Sequence, residues 1–394
     1  MYRIFFAVAV GITAAACNGT KAPENISLNR AVETVDSMYS HYGVEDCSLL
    51  RENFPSDVDY RATYLASDAP DAPNAFSYLW PFSGSLSAVR AIYSATGDTA
   101  WLGVIDEKVL PGLECYRDLK RTPVAFASYI NTASESDRFY DDNVWLGIDF
   151  AELYQASGRK KYLDEATEIW KFIESGTDSI LGGGIYWCEQ KKHSKNTCSN
   201  APGSVYALRL YEATGDTTYL NAATTLYDWT RKNLQDPEDC LYFDNINLEG
   251  NIGKAKFAYN SGQMLEAASL LFKATGDSTY LAQAQDIAKA AFPFFFNGGT
   301  ATDENGEFPL INNGNIWFTA IMMRGFMELY LIDNNPQYME AFQRNLDYAW
   351  NSMRDPESGL FSEDWSGEKQ KKRKWLLTQG AMAEMYATIA GISK

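Results

Sequence analysis

A short motif recurs four times along this chain, at intervals of about 60 residues. In each copy an aromatic residue is followed by any residue, then by Ala, then by Thr or Ser, and then by Gly. A weaker fifth copy begins at Tyr330. Each copy ends an apolar stretch, where glycine is typical of a helix C-cap. An aspartate follows three of the glycines and is placed to cap the next helix. The glycines are Gly97, Gly158, Gly215 and Gly276, and the aspartates are Asp98, Asp216 and Asp277.

This period predicts helical hairpins, each with one tight turn at the motif and one long loop. The length of the chain leaves room for six hairpins, and no Pro/Ser/Gly-rich linker interrupts the period. We therefore predict an all-α fold, an (α/α)6 toroid in which an inner ring of helices lines a funnel. The predicted toroid is one catalytic domain over residues 30–394. An open helical solenoid is the alternative, because solenoids show the same kind of repeat.

The N-terminal residues have the pattern of an export signal. Arg3 precedes the apolar run 4–12, and small residues at 13–16 precede Cys17, as in a bacterial lipobox. We predict a lipoprotein signal peptide over 1–16, lipidation of Cys17 and a polar tether over 17–29. The protein would be held on a bacterial outer membrane, at its periplasmic or outer face, through the lipid alone. It would be secreted if the lipobox is not used.

The charge balance excludes several kinds of partner. Asp and Glu number 51 against 34 Lys and Arg, for a net charge of −17. Nucleic-acid binding needs clustered cations, so we predict no nucleic-acid partner, while a neutral polymer remains compatible. Only two histidines occur, and no His/Cys spacing fits a metal site, so we predict no metal or cofactor. Cys188 and Cys198 flank one loop and either pair or remain free thiols. We expect a monomer.

Two adjacent carboxylates, Asp141 and Asp142, open an apolar helix after Tyr140. Acids in a first helical turn are common because the helix dipole favours them. Neighbouring residues at a helix start also have Cβ atoms roughly 5–6 Å apart, close to the ~5–5.5 Å between the carboxyl groups of a retaining glycosidase. The pair by itself leaves both interpretations open.

The long loops share an unusual composition of aromatic, amide and carboxylate residues. All of them would lie at the funnel mouth, opposite the tight turns. Aromatic rings stack on sugar rings, and amides and carboxylates hold hydroxyl groups, so these loops favour a saccharide site. Trp170, Trp229 and Trp350 occur at helical spacing and are assigned to the core. Trp80, Trp145, Trp187 and Trp365 lie in or beside the loops.

Seven segments of these loops form an ordered set of motifs: 140–145, 183–187, 195–200, 242–244, 259–262, 355–359 and 364–367. Taken in order, they resemble the motifs of glycoside hydrolase family 76, the α-1,6-mannanases. Arg324 falls where the family has an arginine. Departures from the family pattern are Asn143, Ser261 and Thr319, which we place near the binding groove.

The resemblance implies endo-hydrolysis of α-1,6-mannan with retention, with Asp141 as the nucleophile and Asp142 as the general acid/base. One alternative is a non-catalytic glycan-binding lipoprotein, which the departures suggest. Another is a toroid enzyme of a different class, such as a sugar epimerase or a uronyl hydrolase. An epimerase site would need more histidines, and a uronate site would need more cations, than this chain offers. The residues expected to bind substrate are Trp80, Tyr140, Trp145, Trp187, Asn196, Asn200, Asp244, Tyr259, Asn260, Gln263, Arg324, Asp364 and Trp365.

Overall fold

The computed structural model describes residues 25–57, 60–66 and 74–392. These residues form twelve helices, of which one is divided by a π-helical turn at Ile105–Val109. In chain order the helical segments are α1 (Ile26–Tyr42), α2 (Leu79–Thr96), α3 (Ala100–Val104), α4 (Leu110–Glu114), α5 (Tyr140–Ser157), α6 (Lys160–Ser175), α7 (Thr197–Thr214), α8 (Thr217–Leu234), α9 (Ala258–Thr275), α10 (Ser278–Phe295), α11 (Ile316–Asp333), α12 (Gln337–Ser352) and α13 (Leu376–Ile392).

The loops contain nine short strands, β1 to β9, in four small antiparallel sheets. The sheets pair β1 with β9, β2 with β3, β7 with β8, and β5 with both β4 and β6. The strands in chain order are Asn53–Phe54, Arg117–Asp118, Ala125–Phe126, Ser194–Asn196, Asn245–Asn247, Ile252–Gly253, Thr300–Asp303, Gly306–Pro309 and Lys374–Trp375.

Six helices form a closed inner ring. Going round it, α2 packs on α5, α5 on α7, α7 on α9, α9 on α11, α11 on α13, and α13 again on α2. The remaining helices pack outside this ring. Closure of the ring confirms the predicted (α/α)6 toroid and excludes the open solenoid, in which the last inner helix would not contact the first. Among the described residues, no helix is both long and apolar enough to cross a membrane.

The tight turns form as the motif predicts. The four motif glycines adopt the left-handed conformation, with φ between 67° and 73°, and Asn334 takes this role in the fifth copy with φ 54°. Asp98, Asp216 and Asp277 each accept a hydrogen bond from a backbone N–H of the next helix at 2.9 Å. The five left-handed residues end α2, α5, α7, α9 and α11 at one face of the toroid, called here the turn face. The long loops therefore enter the inner helices at the opposite face.

The sixth helix pair differs from the other five. Five hairpins follow one another along the chain, but the sixth pair joins α1 with α13, from the two ends of the described chain. Asn25 caps α1 and donates its side-chain N–H to the carbonyl of Ala390 at 3.1 Å. Helix α1 begins at Ile26, inside the segment predicted as a tether, so the ordered domain starts earlier than residue 30. The predicted signal peptide and Cys17 lie outside the described residues.

Candidate active site

A cavity of about 540 Å³ lies where the N-terminal ends of the inner helices converge. Among the described residues it is slightly larger than a second cavity on the toroid axis. It lies at the face opposite the turn face, called here the loop face, as the sequence predicts. Its walls contain eight of the residues expected to act on or bind substrate: Trp80, Asp141, Asp142, Trp145, Trp187, Asn196, Asp244 and Tyr259.

Asp141 and Asp142 occupy the first turn of α5, where the partial positive charge of the helix N-terminus favours a carboxylate. The chain before them is held firmly. The backbone N–H of Tyr140 donates to the carbonyl of Trp187 at 2.9 Å, and buried Arg138 donates to Glu189 at 2.7 Å. Both aspartates remain partly exposed, and both line the cavity. The pair is thus fixed in place and open to a ligand.

The two carboxyl groups have different surroundings. Burial raises the pKa of Asp141 to about 7, while hydrogen bonds from the Cys198 thiol and from the Trp187 indole, at 3.1 Å, oppose this rise. Burial and the adjacent charge of Asp141 raise the pKa of Asp142 well above its usual range. Asp141 is therefore the carboxyl group that ionises first, and Asp142 is the one that keeps its proton. Two such carboxyl groups can serve as a nucleophile and a general acid.

Aromatic rings form one wall of the cavity. The ring of Tyr259 stacks on that of Phe318 with centroids 4.1 Å apart. Trp317 meets the ring of Trp145 edge to face at 4.9 Å and that of Trp80 at 5.5 Å. Flat apolar faces of this kind complement the C–H faces of sugar rings.

A polar wall faces the cavity from the sheet of β4, β5 and β6. The register of β4 and β5 places Asn196 opposite Asn245. Ser194 donates to the Asn196 side chain at 2.7 Å, and Asn245 donates to Asp244 at 2.7 Å. Burial raises the pKa of Asp244. These groups offer donors and acceptors for hydroxyl groups beside the acidic pair.

The structure places the other predicted binding residues away from the cavity lining. Tyr140 is buried and stacks on Phe172 with centroids 4.5 Å apart. Trp365 is only 1% exposed, and Asp364 holds the turn of its own loop by accepting from Ser366 and Lys369. Three further residues are fully buried within inner helices: Asn200, Asn260 and Gln263.

The fourth residue of several inner helices holds the preceding loop. Asn143 and Asn200 each bond both the N–H and the C=O of a loop residue, with the N–H bonds at 2.8 and 2.6 Å. Gln379 binds Phe361 in the same way, and Ser261 accepts from the N–H of Tyr242 at 3.1 Å. Thr319 is also a fourth residue and is buried. The departures predicted to lie near the groove thus occupy a structural position and give no support to a receptor function.

Arg324 lies in an ion-pair network on the toroid axis, toward the turn face. Its Nε donates to Glu384 at 2.6 Å, and its Nη2 lies 3.3 Å from Asp149. Arg90 binds the same two carboxylates, and Arg209 extends the network to further inner helices. These groups surround a second cavity of about 520 Å³, which Arg324 lines instead of the first. Arg324 was predicted to bind substrate, but the structure places it outside the lining of the cavity that contains the acidic pair.

Sequence reasoning missed several residues of the cavity wall. Trp317 and Phe318 lie in the first turn of α11, and this position at the start of an inner helix would have identified them. Cys198 likewise lies in the first turn of an inner helix, α7, and could have been identified by that position. Cys188 and Cys198 are free, buried thiols. No sequence pattern pointed to the segment 60–66, of which Thr63, Tyr64 and Leu65 line the cavity.

A carboxylate pair in an aromatic cavity of an (α/α)6 toroid defines the class of this protein as a glycoside hydrolase. The family model described as Glycosyl hydrolase family 76 matches residues 55–392. The chain belongs to this family.

Solved structures and curated relatives agree with this membership. A family 76 mannosidase of Bacteroides thetaiotaomicron VPI-5482 shares 33% identity and superposes with a TM-score of 0.84, over 93% of this chain and 98% of its own. An inactive α-1,6-mannanase variant of Salegentibacter sp. HEL1_6, solved with α-1,6-mannotriose, shares 25% identity with a TM-score of 0.73, over 92% and 99%. In that variant, two adjacent aspartates are replaced by asparagine.

Fungal relatives match over shorter stretches. A mannan endo-1,6-alpha-mannosidase of Candida glabrata is 31% identical over 40% of this chain and 39% of its own length. A putative enzyme of the same name from Schizosaccharomyces pombe is 24% identical over 50% of this chain and 49% of its own. The chain thus matches about half the length, or less, of these curated relatives.

Proposed function

We propose that this protein is an endo-acting, retaining glycoside hydrolase that cleaves α-1,6-mannosidic linkages in mannan. The observation that carries the proposal is the pair Asp141 and Asp142, which are adjacent in the first turn of α5 and both line the aromatic cavity, with the Trp187 indole donating to Asp141. The mannotriose complex of the Salegentibacter variant, whose adjacent aspartates are replaced, supports both the substrate and the pair.

In the first step, protonated Asp142 gives its proton to the leaving glycosidic oxygen while ionised Asp141 attacks the anomeric carbon. The carbon–oxygen bond to the leaving sugar breaks, and an ester bond forms between Asp141 and the mannosyl group. In the second step, Asp142 takes a proton from water, which attacks the anomeric carbon and releases Asp141. Two inversions at this carbon give net retention.

Reducing-sugar release from debranched α-1,6-mannan tests this function. We expect release by the wild type, with chains shortened from within and the first product in the α configuration by NMR. Binding of the mannan without release would instead support a non-catalytic glycan-binding protein. A β configuration in the first product would contradict retention.

The Trp187 indole gives a prediction about pH. Hydrolysis requires Asp141 to be ionised, so activity falls as the pH drops through its pKa, raised to about 7 in the free protein. The Trp187 N–H stabilises the ionised form; Trp187→Phe removes this bond and raises the pKa further. The acidic limb of kcat/KM against pH should move to higher pH.

Trp229→Phe is the matched control. The Trp229 indole donates to the carbonyl of Leu181 at 3.0 Å, and the Trp229 side chain does not line the cavity. Its profile should keep the wild-type acidic limb. An unshifted limb in Trp187→Phe would contradict the role of this bond.

We also propose that the protein is exported, lipidated at Cys17 and monomeric; the small residues before Cys17 support the anchor. Cys17→Ser should move the protein from the membrane fraction to the soluble fraction of an expressing cell. An equal distribution of both forms would contradict the anchor.

A further inference from the structure

One side of the cavity mouth is built by a segment outside the helical repeat. Residues 60–66, called here the mouth segment, place Thr63, Tyr64 and Leu65 in the cavity wall. The last long loop, 359–367, was predicted to lie at the funnel mouth and to bind substrate through Asp364 and Trp365. In the described part of the chain, that loop contributes no residue to the cavity lining. The mouth segment therefore forms a boundary of the cavity that the repeat does not supply.

A buried carboxylate holds Tyr64, at the centre of the mouth segment, in place. Glu52 is 4% exposed and accepts a hydrogen bond from the Tyr64 hydroxyl at 2.5 Å. It also accepts from the Asn74 amide at 2.9 Å, the Tyr78 backbone N–H at 3.1 Å and the Trp375 indole at 3.2 Å. Tyr78 and Trp375 directly precede α2 and α13. A buried carboxylate with four donors is costly to disturb, so the segment is fixed to the starts of these two helices.

The ring of Tyr64 joins this anchor to the aromatic wall. It meets Trp80 edge to face with centroids 5.2 Å apart, and lies 6.0 Å from Tyr78 and 5.7 Å from Trp375. Trp80 in turn stacks on Phe318 at 6.2 Å. These contacts leave Tyr64 little freedom to move out of the path of a bound chain.

The position of the mouth segment relative to the acidic pair is asymmetric. The segment stands at the starts of α13 and α2, and α2 is the ring neighbour of α5, which carries Asp141 and Asp142. The polar wall of Asn196 and Asp244 lies beyond the pair, toward α7 and α9. A polymer in the cavity therefore meets the mouth segment on the α2 side of the pair and the polar wall on the α7–α9 side.

We propose that the mouth segment, fixed by Glu52 and Tyr64, limits the number of mannose residues bound on the α2 side of the cleaved bond. It thereby determines which bond of an α-1,6-mannooligosaccharide is cut. This inference rests on the proposed function, since it concerns the same cavity and substrate.

Cleavage of reducing-end-labelled α-1,6-mannohexaose tests the inference. The wild type should cut a narrow set of bonds, whereas Tyr64→Ala should shift or broaden this set by at least one bond. Glu52→Gln keeps the shape but weakens the anchor, so it should act in the same direction with a smaller effect. Tyr330→Ala, near the turn face at the end of α11, is the matched control and should cut as the wild type does.

Unchanged bond preference in an active Tyr64→Ala protein would overturn the inference and leave the proposed function standing. If the wild type cuts nothing, the proposed function fails. The inference is then tested by calorimetry, which measures the affinity for α-1,6-mannooligosaccharides of increasing length. Calorimetry also replaces the cleavage assay for any variant that is inactive. Affinity should stop rising at a shorter oligosaccharide for wild type than for Tyr64→Ala, and an equal limit in both would overturn the inference. Thermal unfolding of each variant checks that it is folded.

Discussion

Asp141→Asn will reduce kcat/KM for α-1,6-mannan by about 10⁴-fold or more, because an amide cannot serve as the nucleophile that carries the mannosyl group. Asparagine has nearly the same shape, so the first turn of α5 and the cavity wall should remain in place. Asp142→Asn should cost about 10²–10⁴-fold, the usual contribution of a general acid. Reducing-sugar release, measured for both variants beside the wild type, checks these values.

The two variants also separate the roles of the carboxyl groups. With an aryl mannoside whose leaving group needs no proton, Asp142→Asn should recover its first step, while Asp141→Asn should not. Asp164→Asn, on the exposed surface of α6, is a control of the same chemistry and should retain wild-type activity. Hydrolysis that persists in both Asp141→Asn and Asp142→Asn would contradict the assignment of the pair.

Arg324→Met will lower the free energy of unfolding by about 3–5 kcal/mol, the usual cost of removing one partner from a buried ion pair. Arg324 lies between Glu384 and Asp149, which are almost fully buried. A neutral side chain of similar length would remove one of the cations that neutralise these two carboxylates. Arg90 contacts both carboxylates and offsets part of the loss. Denaturant unfolding of the purified proteins gives the difference.

Lys160→Met is the matched control, because it removes a cation from an exposed i,i+4 pair with Asp164 on α6. Exposed pairs of this kind contribute little, so its unfolding midpoint should stay at the wild-type value. If Arg324→Met unfolded like the wild type but bound mannan more weakly, Arg324 would belong to the substrate site after all.

The repeat made the fold predictable because each copy carries its own local signals, a left-handed glycine and a capping aspartate. Closure of the ring was harder to foresee. The helices α1 and α13 carry no copy of the motif, so nothing local indicates that the two ends of the chain form one pair. The tether boundary was misplaced for the same reason: α1 begins at Ile26, before any repeat signal.

The candidate site was predictable only as far as its motifs go. Residues at the very start of an inner helix, such as Asp141 and Cys198, reach the cavity, while the fourth residue, such as Asn143 or Ser261, turns to the preceding loop. Motif matching does not separate these positions, because both lie within one matching segment in the first turn of the same helix. Tyr64 and Arg324 depended on contacts between distant parts of the chain, which no local pattern reveals.

The pairing of α1 with α13 has a consequence for how the molecule would sit on a surface. Asn25 and Ala390 meet at the turn face, so the described chain starts on the side of the toroid opposite the cavity. A protein held by lipid at Cys17, as proposed, would stand with its turn face toward the bilayer and its mouth toward the surrounding medium. Polymer could then approach the acidic pair without passing between the enzyme and the membrane.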